Sequence, residues 1–388
     1  MAARRLSQLV MAAVLLAALC GGVDSSVGSG DGGDLSIALE HPAPGANLTY
    51  IPDVPLWVRI RKGRGQCFEV FLDGQSQTVT CDRDTVLEAW PLPGEHSIRL
   101  VATFLPSSRA LVSESAFTIA PSAHALPAQP PACVHDYHKW WHSSNIWMRS
   151  TWRGVVAHKA PTDMWNYQEI LHILKPTLVI EFGVHFGGAT LFYSDVMQRV
   201  HAGAGGVAGK YKILSVDIEP WKMDKQVFEE INVETMSAYT ASQRVQDRIR
   251  EIRRQLPGPA FAILDADHSD ISVLLELQML TPVLQAGDYV IVEDTNLDGH
   301  QHAVAPGWGP SPYDAVTRFM ALNRDLFERD FERELKFGFS QSMAGFLWFR
   351  GLREGAQVVN AVDENPWQHK EVDQSVVDHL TRQYQASL

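Results

Sequence analysis

The sequence predicts two folded units: a Rossmann-like α/β domain in the C-terminal two-thirds and a small all-β sandwich before it. Three observations support this prediction. Between residues 151 and 351, near-continuous apolar runs alternate with helical patterns, which is typical of a parallel sheet with helices on both faces. Between residues 35 and 120, short runs rich in β-branched and aromatic residues are separated by turn residues. A Pro- and Ala-rich stretch between these regions reads as a semi-rigid linker.

Length and charge limit what the protein can be. A chain of 388 residues exceeds one ordinary domain, and its hydrophobic content of 45% is enough for a large core. The formal net charge of -12 argues against a nucleic-acid partner, because phosphate binding relies on clustered Lys and Arg. Association into a homo-oligomer stays open.

Residues 1–24 have the pattern of a secretory signal peptide. Arg4 and Arg5 precede an apolar run, residues 9–19, which is shorter than the roughly 20 residues of a spanning helix. We expect a protein of the secretory lumen or a secreted one, with an uncleaved signal anchor as the alternative, and no further membrane span. The sequon at Asn47 has meaning only in a eukaryotic lumen.

Residues 35–120 are expected to form an immunoglobulin-like sandwich. Strand patterns at 56–60, 67–72 and 96–101 are separated by Asp-Gly and Pro-Gly turns. Trp57 and Trp90 are assigned to its core in preference to a carbohydrate-binding surface.

The cysteines fit an oxidising compartment. Cys20 would leave with the signal peptide, and Cys67 and Cys81 form a plausible disulfide within the sandwich. Cys133 is then left unpaired.

Residues 121–150 hold the linker and then a segment crowded with histidine and tryptophan. His135, His138 and His142 would fit one helical face, but no acidic or thiolate partner recurs with them. We interpret this segment as a packing element, with a contribution to the ligand pocket as the alternative.

Four apolar runs of the α/β domain, residues 151–351, carry an acidic residue in their last two positions: 178–182, 213–217, 261–265 and 289–293. Helical patterns at 165–174, 189–200, 241–256 and 273–284 separate them. Two closing strands, near 335–339 and 345–349, are predicted to form an antiparallel hairpin, and residues 352–388 form a C-terminal extension. Ligands bind at the carboxyl ends of strands in such a sheet, so the acids there are candidate site residues.

A glycine-rich loop after the first of these strands suggests a cofactor. Glu181 precedes Gly183, and Gly187 and Gly188 open the following helix, which differs from the G-x-G-x-x-G dinucleotide pattern. An acid at this point would repel a pyrophosphate but suits the ammonium of an amino-acid cofactor, and the glycines let the backbone approach it. Asp217, at the next strand end, is placed to accept hydrogen bonds from ribose hydroxyls. These residues together predict S-adenosylmethionine.

A second group of acids predicts a metal. Asp265, Glu293 and Asp294 would converge from neighbouring strand ends as hard oxygen ligands. Converging carboxylates repel without a cation, and oxygen coordination suits Mg²⁺, or Mn²⁺, better than zinc.

These segments resemble the cephalosporin hydroxylase/rhamnosyl O-methyltransferase family over about half of the chain. The matching stretches are 152–155, 163–169, 175–183, 264–269, 287–294 and 345–347. The resemblance implies a Rossmann-like seven-stranded methyltransferase sheet, S-adenosylmethionine, and a Mg²⁺ site like that of catechol O-methyltransferases. It matches Asp265, Glu293 and Asp294 to the family's metal ligands, and His268 stands where catechol-type enzymes carry a basic residue. The chain departs from the family near the adenine, where Met236 stands close to an expected glycine.

We therefore expect an O-methyltransferase acting on a hydroxyl of a saccharide, glycolipid or small secondary metabolite. His268 is the candidate catalytic base, and the alternative is a histidine that holds a ligand carboxylate in place. The long loop at 296–313 is predicted to be a substrate lid. Two other readings stay open: a metal-dependent hydrolase, and a secreted non-catalytic carbohydrate-binding protein with a vestigial methyltransferase fold.

Overall fold

The computed structural model describes residues 37–49, 56–62, 67–87, 91, 93–104, 109–120, 130–202, 210–352 and 357–387. The expected signal peptide, most of the linker and Trp90 lie outside these residues. The chain divides into two compact units, Met1–Ser122 and Ala123–Leu388.

The first unit contains two β-sheets that share one hydrophobic core. The strand orders are β1-β3-β6 and β2-β8-β7-β4-β5. Fully buried side chains from both sheets, such as Ile60 and Ile98, belong to the same cluster. Trp57 is also buried, as expected. The strands are β1 (Ile37–His41), β2 (Asn47–Thr49), β3 (Leu56–Lys62), β4 (Phe68–Leu72), β5 (Gln75–Thr80), β6 (Asp84–Leu87), β7 (Gly94–Phe104) and β8 (Arg109–Ala120).

The expected disulfide between Cys67 and Cys81 is confirmed, and it closes a loop with a sequence separation of 14. It joins the residue before β4 to the residue after β5, the two strands of one antiparallel hairpin. Cys133 is free and exposed.

The second unit is built around a seven-stranded sheet of order β13-β12-β11-β14-β15-β17-β16. The first five strands in this order are parallel, and the last two pair antiparallel. The central parallel strands are buried because helices cover both faces, which explains their near-continuous apolar sequence. The strands are β9 (Thr151–Trp152), β10 (Val155–Val156), β11 (Leu178–Phe182), β12 (Lys212–Asp217), β13 (Val233–Ser237), β14 (Ala260–Leu264), β15 (Tyr289–Val292), β16 (Phe327–Arg329) and β17 (Phe346–Phe349), of which β9 and β10 form a separate hairpin.

The helices of this unit begin at sites that the sequence marks. Ser242, Ser269 and Ser311 each accept a backbone N–H at the start of a helix, and Pro161 occupies a first helical turn. None of the helices in the described part of the chain is long and apolar enough to cross a membrane. The helices are α1 (Ala132–Ser143), α2 (Pro161–Leu174), α3 (Gly188–Val200), α4 (Lys225–Glu229), α5 (Gln243–Gln255), α6 (Asp270–Leu280), α7 (Pro312–Leu322), α8 (Phe331–Leu335) and α9 (Gln374–Ser387).

The predicted closing hairpin is wrong in its first strand. Residues 335–339 form the end of a short helix and a turn, and the strand that pairs with β17 is β16, eight residues earlier in the chain. The side chain of Asp330 caps the short helix by accepting the N–H of Arg333, and Gly338 then turns the chain with a φ of 81°. Strand β13, at the opposite edge, had no prediction because its sequence, VETMS, is half polar.

Candidate active site

A cavity of about 780 Å³ lies at the carboxyl edge of the seven-stranded sheet. The ends of strands β11, β12, β14 and β15 contribute Gly183, Asp217, Asp265 and Asp294 to its wall. This volume falls within the range of roughly 300–1,000 Å³ typical of small-molecule sites. The strand-end acids therefore meet at one pocket because the parallel strands end at the same edge.

Asp265, His268 and Asp294 form a compact cluster in this cavity. Each offers one ligand atom, and these atoms all lie within 4.8 Å of one another. His268 lies between the two acids, with Nδ1 2.9 Å from Asp294 and Nε2 3.5 Å from Asp265. Asp294 has a φ of 56°, a left-handed backbone conformation that occurs where the chain leaves β15.

Lys159 is a buried cation that the sequence analysis did not identify. Its side chain is only 3% exposed. The ammonium donates a hydrogen bond to Asp265 and lies 3.0 Å from the carboxylate of Glu293. Ala160, the residue after Lys159, donates its N–H to the side chain of Gln341 at 2.6 Å, and this contact fixes the chain at the start of α2. The one sequence signal is a lysine two positions before a helix-starting proline, which by itself indicates nothing about a site.

Glu293 stands apart from the cluster that the sequence predicted it would join. Its carboxylate is 3% exposed and accepts a hydrogen bond of 3.0 Å from the hydroxyl of Tyr167, besides its contact with Lys159. Its partner is Lys159, which lines the cavity, and only Asp265 and Asp294 of the three predicted metal ligands lie in the cluster. The reason is local: Asp294 has a left-handed backbone just beyond the end of β15, so its side chain leaves the chain in a different direction from that of Glu293.

The charges of these groups depend on one another. Burial opposes ionisation of Asp265, but the charges of Lys159 and His268 outweigh it and hold the pKa of this carboxyl below its usual value. Burial raises the pKa of Glu293 to about 8, although Lys159 acts in the opposite direction. Burial lowers the pKa of His268, yet Asp294 and Asp265 outweigh it and hold this pKa well above the ordinary value.

The glycine loop after β11 is shaped by backbone contacts. Gly183 has a φ of 82°, and a Cβ there would lie 2.0 Å from the carbonyl oxygen of Asp265. Asp217 accepts the N–H groups of Val184 and His185 at 2.8 and 2.9 Å, so its carboxylate holds the loop while also lining the cavity. The sequence predicts contacts from this acid to ribose hydroxyls but gives no sign of its contacts with the loop.

The other three predicted cofactor residues lie outside the cavity wall. Glu181 is 2% exposed and accepts hydrogen bonds from the hydroxyls of Thr190 and Ser215 beneath the loop. Burial raises its pKa to about 7, although the hydrogen bonds from Thr190 and Ser215 act in the opposite direction. Gly187 and Gly188 are needed for packing, because a Cβ on either would lie within 2.5 Å of neighbouring atoms.

Part of the histidine- and tryptophan-rich segment reaches the cavity, as the alternative interpretation expected. His142 and Trp147 line it, with their rings 5.8 Å apart and nearly parallel. His138 instead packs inside the unit with its Nε2 3.0 Å from the side-chain amide of Asn296. The segment is therefore partly a packing element and partly a wall of the site.

The loop predicted to be a lid contributes three residues to the cavity: Leu297, Ala305 and Trp308. Trp308 is 48% exposed, and its ring lies 6.3 Å from that of His268. The loop is held in shape by Asp298, which accepts the N–H groups of Gly307 and Gly309. A flat, exposed aromatic surface thus stands beside the acidic cluster.

The opposite end of the cavity is formed by residues that the sequence did not single out. Tyr239 and Thr240 follow β13, and Trp367 comes from the C-terminal extension. These residues lie far along the chain from any recognised motif, so no pattern in the sequence marked them as site residues.

The residues present fit both a divalent cation and an amino-acid nucleoside. Asp265 and Asp294 offer carboxylate oxygens, and Mg²⁺ and Mn²⁺ prefer such hard oxygen ligands to the imidazole nitrogen of His268. The cavity continues from this pair past the glycine loop to the aromatic residues after β13, which gives room for an elongated ligand.

Comparisons with known proteins give a consistent family. A family model described as rhamnosyl O-methyltransferase/CmcI matches residues 144–349. The rhamnosyl O-methyltransferase of Mycobacterium leprae is 42% identical over 214 residues, which cover 55% of this chain and 89% of that protein. That of Mycobacterium tuberculosis H37Rv is 38% identical over 216 residues, which cover 56% of this chain and 84% of that protein. Among solved structures, CmcI in its Mg–SAM form has a TM-score of 0.41 at 20% identity, covering 52% of this chain and 77% of that one.

Proposed function

Because the chain belongs to the rhamnosyl O-methyltransferase/CmcI family, we propose that it is an S-adenosylmethionine- and Mg²⁺-dependent O-methyltransferase acting on a saccharide hydroxyl. Relatives named for methylation of a rhamnosyl group support the reaction and the class of acceptor. The single observation that carries the proposal is the cavity in which the glycine loop, Asp217 and the Asp265–His268–Asp294 cluster meet.

Methyl transfer from a sulfonium is an in-line displacement, so the protein must align the donor and an oxygen nucleophile. Gly183 and Asp217, after β11 and β12, would face the donor, and the acidic cluster, after the next two strands β14 and β15, would face the acceptor. One cavity would then hold both partners, which is the main requirement of the reaction.

Asp265 and Asp294 would hold the metal. When bound, Mg²⁺ supplies a Lewis acid that lowers the pKa of an acceptor hydroxyl and fixes its position. Lys159 already offsets the charge of Asp265 and keeps this carboxylate ionised. Glu293 lies on the other side of the same ammonium, within reach of the site if the lysine withdraws.

His268 is the candidate base for the acceptor proton. It contacts both cluster acids, and their charge keeps its pKa well above the ordinary value. It can accept a proton only when that negative charge is offset. The same contacts also let it orient Asp294, so a positioning role is the second reading of this residue.

An acceptor with an apolar ring face suits the cavity's outer wall. Trp308 and Trp147 line the acceptor side, and the Trp308 ring is half exposed beside His268. Sugar rings pack their C–H faces on such aromatic surfaces while their hydroxyls reach polar groups. This supports a saccharide over a small charged acceptor.

The remaining parts of the chain are assigned as follows. We propose that residues 1–24 are a signal peptide and that 35–120 form an immunoglobulin-like sandwich. Residues 121–150 link it to the methyltransferase domain at 151–351, and residues 352–388 form a C-terminal extension. The sheet of this domain is of the seven-stranded methyltransferase type. The disulfide between Cys67 and Cys81 supports passage through an oxidising compartment, either the secretory lumen or the outside of the cell.

The proposal is tested by following S-adenosylhomocysteine formation with rhamnosyl glycosides as acceptors. Activity should require Mg²⁺, should be lost with excess chelator and should be lost in Asp294→Asn. Asp247→Asn, a change at a 61% exposed helix position, is the matched control and should retain activity. Full activity in chelator would contradict the role of the metal.

A further inference from the structure

The C-terminal extension, beyond the family match at 144–349, is fastened to the α/β domain in a regular order. Asn323, at the end of α7, bonds both the N–H and the C=O of Val359, at 2.9 and 3.0 Å. Gln278 on α6 then accepts the N–H groups of Ala361 and Val362 at 2.7 and 2.9 Å. The segment therefore crosses the ends of two helices with its backbone held at each.

The next contacts bring the segment to the cavity. Asn365 donates its side-chain amide to the carbonyl of Ala241 at 2.8 Å, and the N–H of Gln243 donates to Gln368 at 2.8 Å. Trp367 lies between these two contacts, and its own N–H donates to Asn365 at 2.9 Å. Its backbone is thus fixed on both sides at the start of α5.

The side chain of Trp367 lies against Tyr239 at the cavity wall. The two rings are almost parallel, with an angle of 9° between their planes and centroids 6.4 Å apart. The ammonium of Lys370 lies 4.6 Å from the centroid of the Tyr239 ring, a cation–π contact that restrains this ring. Both aromatic residues line the cavity and are only partly buried.

The position of this pair identifies the part of a ligand that it would meet. Tyr239 follows β13, which is the edge strand beyond β12, whereas Asp265 and Asp294 follow β14 and β15 on the other side of β11. A ligand whose reacting end lies at the acidic cluster and whose middle lies along Gly183 and Asp217 would end at the aromatic pair.

We propose that Trp367, together with Tyr239, forms the wall on which the adenine ring of the cofactor stacks, so that the C-terminal extension completes the cofactor site. The inference rests on the proposed function, since it takes S-adenosylmethionine as the ligand. A nucleobase is a flat ring with two apolar faces, which is the chemistry that a partly exposed indole recognises.

The test is calorimetric titration of the full chain with S-adenosylhomocysteine. Trp367→Ala and Trp367→Leu should raise Kd by about 5- to 150-fold, the range given by the loss of one base–aromatic stack. Trp367→Phe keeps a flat ring and should retain most of the affinity. Trp165→Ala, a change at a 58% exposed tryptophan of α2, is the control and should bind like the wild type.

Two further readouts separate stacking from a general structural effect. Adenosine alone should lose affinity by the same factor in Trp367→Leu, and Mg²⁺ binding should be unchanged because the cluster lies at the other end of the cavity. If Trp367→Ala does not fold, the comparison of Trp367→Leu with Trp367→Phe decides. Affinity within about twofold of wild type in Trp367→Leu would overturn the inference. A wild-type chain that binds no S-adenosylhomocysteine would instead overturn the proposed function, and this inference with it.

Discussion

Replacement of Lys159 by methionine tests whether this side chain is the internal counter-cation of the buried acids. Its ammonium donates to Asp265 and lies 3.0 Å from Glu293, and the side chain is 3% exposed. Methionine keeps most of the apolar stem but removes the charge. The two carboxylates would then face each other without a cation.

The expected loss follows from the burial of this group. Removal of one partner of a buried ion pair costs about 3–5 kcal/mol, because the other charge is left unpaired. Protonation of Glu293, whose pKa is already raised to about 8, would relieve part of the repulsion. We therefore expect the free energy of unfolding of Lys159→Met in chelator to be about 3 kcal/mol lower than that of the wild type, at the lower end of the range. Saturating Mg²⁺ should restore much of it, because the cation takes over the role of the ammonium.

The assay is urea unfolding near neutral pH, with chelator and with Mg²⁺, followed by tryptophan fluorescence. Arg253→Met is the matched control, since Arg253 and Asp288 form a buried pair with an N–O distance of 2.6 Å away from the cavity. Both variants should lose stability in chelator, but only Lys159→Met should recover in Mg²⁺. Equal responses of the two variants to Mg²⁺, or wild-type stability of Lys159→Met in chelator, would refute the reasoning.

Three further predictions concern other parts of the chain. Asp217→Ala removes the acceptor of two loop N–H groups and should weaken S-adenosylhomocysteine binding about tenfold or more, as measured by calorimetry. An unchanged Kd would show that Asp217 does not belong to the cofactor site. Serine at both Cys67 and Cys81 should destabilise the first unit by about 3 kcal/mol, seen as faster amide exchange in β4 and β5; unaltered exchange would contradict it. Burial raises the pKa of Glu276 from an ordinary 4.5 to about 8. Between these two pH values the folded state keeps a proton that the unfolded state releases, so stability falls as the pH rises from about 4.5 to about 8. Glu276→Gln keeps the hydrogen bond from Thr240 and should be more stable than wild type at the upper end of the window by a few kcal/mol, at roughly 1.4 kcal/mol per pKa unit, but equal to it near the lower end. The same pH dependence in both proteins would show that Glu276 is not the group responsible.

The sequence predicted the central sheet well because burial on both faces imposes a simple pattern. Four parallel strands were found from apolar runs with an acid at or next to the carboxyl end, and the carboxyl-edge rule then brought Asp217, Asp265 and Asp294 to one cavity. Edge strands carry weaker patterns, since one side faces solvent or another element. This explains why β13 was missed and why β16 was placed too late in the chain.

The details of the site depend on side-chain direction and on distant segments, which a local pattern does not encode. Glu293 and Asp294 are neighbours in sequence, yet Glu293 is held by Lys159 and Tyr167 whereas Asp294 joins the cluster. Trp367 reaches the cavity only because the extension is fastened along the ends of three helices. Neither fact could be read from residue type or spacing.

The most direct test of the central claim is calorimetric titration of the full chain with S-adenosylmethionine, with Mg²⁺ and with chelator. We predict one cofactor per chain under both conditions, because the glycine loop and the acidic cluster belong to different strand ends. We also predict that Mg²⁺ binding, titrated separately, is lost in Asp294→Ala while the cofactor still binds. No saturable binding of S-adenosylmethionine under either condition would contradict the assignment of this cavity to methyl transfer.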